Sequence, residues 1–361
     1  MDIAVPEYIL DIAPYKPGKP IEELEREYGI AGSIKLASNE NPLGPSPLAV
    51  EAINDVLHNL HRYPDGRGFT LIDKIRSKFG VSARNIILGN GSDEIIGLLA
   101  RTLLTPGDVV ILPQPSFLMY DIMVKSVGAV PCYVPLKKLA IDLESIRDRV
   151  TLQTKMIFLC NPNNPTGMIL HERELSDFLN ALPASVVVVI DEAYIEFVRD
   201  PDCAKGLDYL DSGKAVVTLR TFSKAYGLAG LRIGYGIMPI EVAELLNRIR
   251  PPFNASLPAQ AGAAAALGDD AFLKKTLSLI HAGIDELQTA LDRLGVAYFS
   301  TQANFFMIDT KKDADTVFED MLRKGVIVRS MASYGFENYI RINAGRHEEN
   351  RRFIEVLEDV L

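Results

Sequence analysis

Lys224 stands in a setting that suits covalent chemistry with a carbonyl group. It lies in Thr221-Phe222-Ser223-Lys224-Ala225-Tyr226-Gly227-Leu228-Ala229-Gly230-Leu231-Arg232, between an apolar run and a glycine-rich segment. An isolated lysine is ordinarily a solvated surface charge. Here hydroxyls precede it by one and three residues, and an arginine follows eight later. Lysine's flexible stem and titratable amine suit Schiff-base formation, while the hydroxyls and Arg232 suit a phosphate.

Three more motifs leave polar groups at strand ends or turns. Asp191-Glu192-Ala193-Tyr194 follows five apolar residues. A charged Asp191 at the end of a buried strand is costly unless it has a partner such as a protonated nitrogen; at an exposed strand end it needs none. Asn161-Pro162-Asn163-Asn164-Pro165-Thr166-Gly167 follows the run MIFLC, and its prolines restrict the backbone enough to hold an asparagine amide in one orientation. Gly89-Asn90-Gly91-Ser92-Asp93-Glu94 joins a glycine turn to a helix start, where free backbone N–H groups form an anion site. By itself this motif fits a plain turn capped by Ser92 or Asp93 equally well, and it lacks the third glycine of a dinucleotide fingerprint.

The elements that must position these groups alternate between strand and helix from about 46 to 250. NIILGNG, VVILPQPS, AVPCYVP, MIFLCNPNNP, VVVVIDEAY and AVVTLRTFS are strand candidates, and SDEIIGLLARTLL is a helix. Continuous β-branched runs suit strands buried on both faces of a mostly parallel sheet covered by helices, with the chemistry at their carboxyl ends. Residues 1–45 form an N-terminal arm that belongs with the smaller domain; it carries a proline-rich turn (Pro14 to Pro20) and the short helix IEELEREYG ended by Gly29. Residues 46–250 form the large domain. At Pro251-Pro252 the composition shifts, and residues 251–361 form a small α/β domain with helices over 257–294, strands near YFSTQANFFMID, GVIVRS and YIRINAG, and a closing amphipathic helix.

The composition is that of a globular chain, 361 residues long with 48% hydrophobic and 24% charged residues. A net charge of -9 offers no basic field for a nucleic-acid backbone. Cys132, Cys160 and Cys203 suit neither a disulfide framework nor a metal site and are expected as buried apolar residues. His58 and His61 could share a helix face but have no third ligand nearby, so no metal is expected. MDIAVPEYIL lacks a signal peptide's basic and apolar regions, and no apolar stretch spans a membrane. A cytoplasmic chain without nucleic-acid or membrane partners is the expectation.

The ordered set GNGSDE, NPNNPTG, DEAY and SKAYGLAGLRIG resembles the fold-type-I pyridoxal-phosphate aminotransferases over almost the whole chain. Within them it most resembles the histidinol-phosphate aminotransferases, through Asn39-Glu40-Asn41-Pro42-Leu43-Gly44-Pro45, Arg62-Tyr63-Pro64-Asp65, Ala303-Asn304-Phe305, Val328-Arg329 and Ile340-Arg341-Ile342. The resemblance implies pyridoxal 5'-phosphate as cofactor, held by Lys224 as a Schiff base. It implies that Asp191 pairs with the pyridine nitrogen and that Tyr194 and Asn164 bond the ring's 3' oxygen. Gly91, Ser92, Ser223 and Arg232 would bind the phosphate, with Asp93 and Thr221 beside them, and Phe117 would stack on the ring where tyrosine is frequent in the family. Tyr63 would reach the phosphate of a neighbouring subunit, making a homodimer. Arg329 and Arg341 would bind substrate anions, and Tyr15 and Asn39 would close over the substrate. Ser330-Met331 stands where the family more often has proline next, so the loop's shape is open.

The implied reaction converts L-histidinol phosphate and 2-oxoglutarate to imidazole acetol phosphate and L-glutamate, in histidine biosynthesis. An aromatic amino-acid aminotransferase, a threonine-phosphate decarboxylase and a non-catalytic PLP-binding regulatory protein are the alternatives. The last normally carries an attached DNA-binding domain.

Overall fold

The computed structural model describes residues 3–15 and 18–361. Lys16 and Pro17 of the proline-rich turn, and the first two residues of MDIAVPEYIL, lie outside them. The strands are β1 (Ile34–Lys35), β2 (Ile86–Gly89), β3 (Val109–Gln114), β4 (Val130–Pro135), β5 (Thr154–Cys160) and β6 (Val187–Asp191). They continue as β7 (Val216–Thr221), β8 (Gly234–Ile237), β9 (Phe305–Asp309), β10 (Val326–Ile327), β11 (Arg329–Ser330) and β12 (Tyr339–Asn343).

The central sheet runs β2-β8-β7-β6-β5-β3-β4. Strands β3 to β7 pair in parallel, and β8 is antiparallel to both its neighbours. In β5, Met156, Phe158 and Cys160 join one buried cluster while Ile157 and Leu159 join another. Side chains alternate across a strand, so an unbroken apolar run fills two cores at once. Each aliphatic side chain so buried contributes about 1.5–3 kcal/mol.

Strand β8 escapes sequence reading because Gly-Tyr-Gly-Ile has little strand character. Close approach dictates its glycines: a Cβ on Gly234 would lie 2.6 Å from the Ser92 nitrogen and 2.9 Å from the Arg220 carbonyl.

The smaller unit pairs β11-β12-β9 antiparallel. The arm joins it, because β1 pairs in parallel with β10, and the expected arm helix spans Ile21–Tyr28 with Gly29 in the left-handed conformation after it. Composition shifts at Pro251, yet the next helix, Leu257–Ala266, packs on Pro47–Val56 and Phe69–Phe79 of the large unit. We propose that the small unit starts within the long helix Asp270–Leu294 and includes the arm. One continuous core, from Leu71 and Tyr235 through Leu287 to Phe305 and Phe353, joins the two units.

The segment Asn39–Pro45 crosses from the arm to the lysine loop. Asn41 Nδ2 donates to the Ala225 carbonyl (3.0 Å) and to Thr276 Oγ1 (3.1 Å). Gly227 has φ +70°, and a Cβ there would fall 2.0 Å from the Gly44 carbonyl oxygen. Gly227→Ala is therefore expected to destabilise the fold by about 3 kcal/mol through strain and overpacking, measurable as a lower denaturation midpoint in urea.

Candidate active site

Three strands of the parallel sheet end side by side, and each delivers one part of the site. Beyond β5 comes the Asn161–Gly167 loop, β6 ends on Asp191, and β7 ends on Thr221 just before Ser223 and Lys224. Cys160 and Asp191 are register partners. A cavity of about 230 Å³ lies over these ends, lined by Ser92, Asp93, Phe117, Asn164, Asp191, Tyr194, Thr221, Ser223, Lys224 and Arg232, together with Ser38, Glu40 and Cys160. A second cavity of about 110 Å³ adjoins it, sharing Phe117, Asn164, Tyr194 and Lys224 and adding Tyr15, Asn39, Tyr334, Arg329 and Arg341.

At one end of the larger cavity is an anion cradle. Gly91 caps the helix Ser92–Leu103 with φ +79°, and no side chain bonds the helix's first N–H groups. The alternative of a turn capped by Ser92 or Asp93 is thereby corrected: the helix begins at Ser92, and both residues line the cavity. A Cβ on Gly91 would sit 2.6 Å from Arg232 Nη2, so only glycine lets the guanidinium reach this helix start. Thr221 Oγ1 donates to Ser223 Oγ (2.9 Å), and Arg232 Nη1 lies 3.4 Å from the same Ser223 oxygen. Asp93 holds Arg232 from the other side at 3.4 Å. Uncapped N–H groups, hydroxyls and a guanidinium converging on one space suit a phosphate.

Asp191 lies at the other end, 3% exposed, with no ion-pair partner among the described residues. Burial pushes its carboxyl up to about 6, against the Tyr120 hydroxyl that favours the charged form. A buried carboxylate beside an open space is matched by a cationic ligand group. Lys224 Nζ donates to the Ser38 carbonyl (3.0 Å). Burial first, then the Arg341 charge, lowers its amine to about 8, so a minor fraction, roughly a tenth at pH 7, is neutral and nucleophilic, far more than for an ordinary lysine.

Within Asn161–Gly167 the three asparagines divide their work. Asn161 Nδ2 donates to the Ala204 carbonyl (2.7 Å) and its Oδ1 accepts from the Leu170 N–H (2.8 Å). Asn163 is held by Ser116 and Thr166. Only Asn164 lines the cavity, where its Oδ1 accepts from Arg341 Nη1 (2.5 Å). The Tyr194 hydroxyl accepts from Asn39 Nδ2 (3.0 Å).

In the smaller cavity Arg329 and Arg341 are direct cross-strand partners on β11 and β12. The loop after Arg329, left open by Ser330-Met331, is thus a short strand leading to a 3-10 turn at Ala332–Tyr334. Arg341 is 6% exposed and its Nε has no partner, as has Asn39 Oδ1. Arg329 lies over the Tyr15 ring at 6.0 Å. Among the expected site residues Gly91 and Tyr63 line neither cavity; Gly91 adjoins Arg232, whereas Tyr63 is 82% exposed and stacks on Phe253 at 4.7 Å. Ser38, Glu40, Tyr334 and Tyr120 were not singled out from sequence; Glu40 sits inside a quoted motif, and the others carry no local pattern.

These features fit pyridoxal 5'-phosphate: one cavity joins an anion cradle, a buried carboxylate with no ion-pair partner among the described residues, and a lysine amine of lowered basicity. Borohydride treatment after incubation with the cofactor is expected to add its mass to the peptide containing Lys224. Lys224→Ala should abolish both that adduct and the visible absorbance, as read by peptide mass spectrometry and absorption spectra.

Residues 31–357 match the family model for aminotransferases of class I and II. Over 350 residues the chain is 48% identical to histidinol-phosphate aminotransferase 1 of Nitrosococcus oceani, covering 97% of this chain and 95% of that one. It is 47% identical over 367 residues to the histidinol-phosphate aminotransferase of Desulfotalea psychrophila, covering 100% and 96%. The crystal structure of histidinol-phosphate aminotransferase from Sinorhizobium meliloti in complex with pyridoxal-5'-phosphate superposes with TM-score 0.90 at 28% identity, covering 98% of this chain and 96% of that one. With its mostly parallel sheet, its lysine sharing one cavity with an anion cradle and a buried carboxylate, and this extent of similarity, the chain belongs to the histidinol-phosphate aminotransferases of the class I and II aminotransferase family.

Proposed function

We propose that this protein transfers the amino group of L-histidinol phosphate to 2-oxoglutarate, giving imidazole acetol phosphate and L-glutamate. The observation that carries the substrate reading is the pair Arg329 and Arg341, set opposite each other on β11 and β12 and facing one cavity with Lys224. Like charges directly across a strand pair are destabilising, and an anion between them reverses that cost. A guanidinium fork accepts carboxylate and phosphate alike, so one pocket can take the donor's phosphate and then the acceptor's distal carboxylate.

Bound pyridoxal 5'-phosphate supplies an aldehyde for amine exchange and an electron-accepting ring. In the proposed roles, Lys224 holds the cofactor and its freed amine then moves the proton at the donor's α-carbon. Asp191 keeps the ring nitrogen protonated, Tyr194 and Asn164 orient the ring's 3' oxygen, and Phe117 covers a ring face. Gly91, Ser92, Ser223 and Arg232 hold the phosphate, with Thr221 and Asp93 orienting the hydroxyl and the guanidinium. Asn39 and Tyr15 bring the arm over the substrate. By keeping the ring nitrogen protonated, Asp191 would let the ring take up the electrons released at the donor's α-carbon, which favours the transition state over the ground state.

We also propose a homodimer in which Tyr63 reaches the partner's phosphate cradle. The exposed Tyr63 and Phe253 rings, together with Phe69 at 73% exposure, favour cover by another copy. No described helix is long and apolar enough to cross a membrane.

A donor panel with 2-oxoglutarate tests the reaction. Histidinol phosphate should exceed phenylalanine, tyrosine and threonine phosphate in kcat/KM, and a tenfold preference for phenylalanine would overturn the reading. Arg341→Ala should raise KM for both histidinol phosphate and 2-oxoglutarate by roughly ten- to a hundredfold, the loss of a charge-assisted bond. Subunit mixing tests the dimer. Tyr63→Ala and Lys224→Ala chains, each impaired alone, should regain activity together, since the mixed dimer rebuilds one site with both groups. No recovery would place Tyr63 outside the partner's site.

A further inference from the structure

Tyr120 touches the site from beneath and has no place in the reaction described above. It lies on the helix Leu118–Lys125, is 1% exposed, and its hydroxyl donates to Asp191 Oδ2 at 2.7 Å. Its ring stacks on Phe158 of β5 with centroids 4.7 Å apart and planes within 13°. Its edge meets Phe117 at 5.5 Å and 85°. Packed by both rings, the hydroxyl has little freedom to leave the carboxylate.

We propose that Tyr120 is a positioning residue for Asp191, its hydroxyl holding the carboxylate in its charged form and in one orientation beneath the cofactor pocket. The Ala193 N–H fixes the other oxygen, Oδ1, at 3.1 Å, so the carboxylate is gripped at both ends and keeps its remaining acceptor sites for the pocket. A hydrogen bond to the charged form favours ionisation, whereas burial opposes it. The acidic side chains facing Asp191 work against the charge. Asp93 on the helix Ser92–Leu103 and Glu192 on the following residue are acidic, and Cys160 on β5 brings a thiol that stays neutral. Tyr120 is the side chain among these that stabilises the carboxylate. Through Phe117 the same ring also supports the side chain that covers the cofactor cavity.

The inference rests on Asp191 being the carboxylate that serves the cofactor's ring, and the experiment separates the two. In the apoprotein, the Asp191 carboxyl is titrated by infrared difference spectroscopy, with Asp191→Asn as the blank that assigns the band. Tyr120→Phe keeps the ring contacts and should raise the midpoint by about one pH unit, the size of a lost bond to a charged group. In the loaded protein, the pH at which the visible band changes should move the same way. An unchanged apoprotein midpoint would overturn the proposal, whatever happens to activity. If the phenylalanine variant does not fold, Tyr120→3-fluorotyrosine supplies a stronger donor of nearly the same shape. Its midpoint should fall, and one that stays or rises overturns the proposal. An apoprotein shift without any change in the visible band would retain Tyr120's hold on Asp191 and refute Asp191's service to the ring.

Discussion

The site depends on a carboxylate buried with no ion-pair partner among the described residues. Asp191 ends β6 between β5 and β7, 3% exposed, and burial lifts its carboxyl to about 6. Left alone, such a charge is among the most costly groups a core can hold. The surrounding structure answers with two hydrogen bonds, from Tyr120 and Ala193, which moderate the cost without cancelling it. What remains is a carboxylate that a cationic group in the adjoining cavity would relieve.

The same principle recurs at the other charged groups. Arg341 is buried with an orphaned Nε, and burial lowers its basicity. Arg329 stands opposite it. Lys224 is desolvated, with that positive charge nearby, and its amine falls to about 8. One buried arginine therefore has two consequences, a cationic wall in the smaller cavity and a less basic Lys224 amine. The helix start at Ser92 completes the pattern with uncapped N–H groups. Arg341 and the helix start are each held in a state that an anionic ligand would relieve, which is how a site becomes preorganised.

Holding such groups in place requires a rigid frame. Parallel strands filled on both faces provide it, since Phe158 and Leu159 anchor opposite cores and the strand ends inherit their fixed spacing. A buried ion pair between Glu192 and Arg220 at 2.7 Å ties the end of β6 to that of β7. The arm supplies the remaining wall: Asn39 is bonded to Tyr194, Asn343 and Asn304 at once, so one residue links arm, large unit and small unit.

The sequence by itself determined the strand–turn–helix order, the parallel sheet and the lysine, carboxylate and glycine motifs, because hydrophobic period and turn chemistry are local properties. Its motifs, with the family resemblance they carry, also pointed to most residues lining the two cavities, but not to Ser38, Ala37, Gly18 or Tyr334. Tertiary structure alone decided the rest. Arg329 and Arg341 are opposed only through antiparallel register. The helix Leu257–Ala266 turns back onto the large unit despite the composition shift before it. Tyr120 meets Asp191 across 71 residues of chain. None of these has a local signal, because burial and long-range pairing arise only when distant segments share one core.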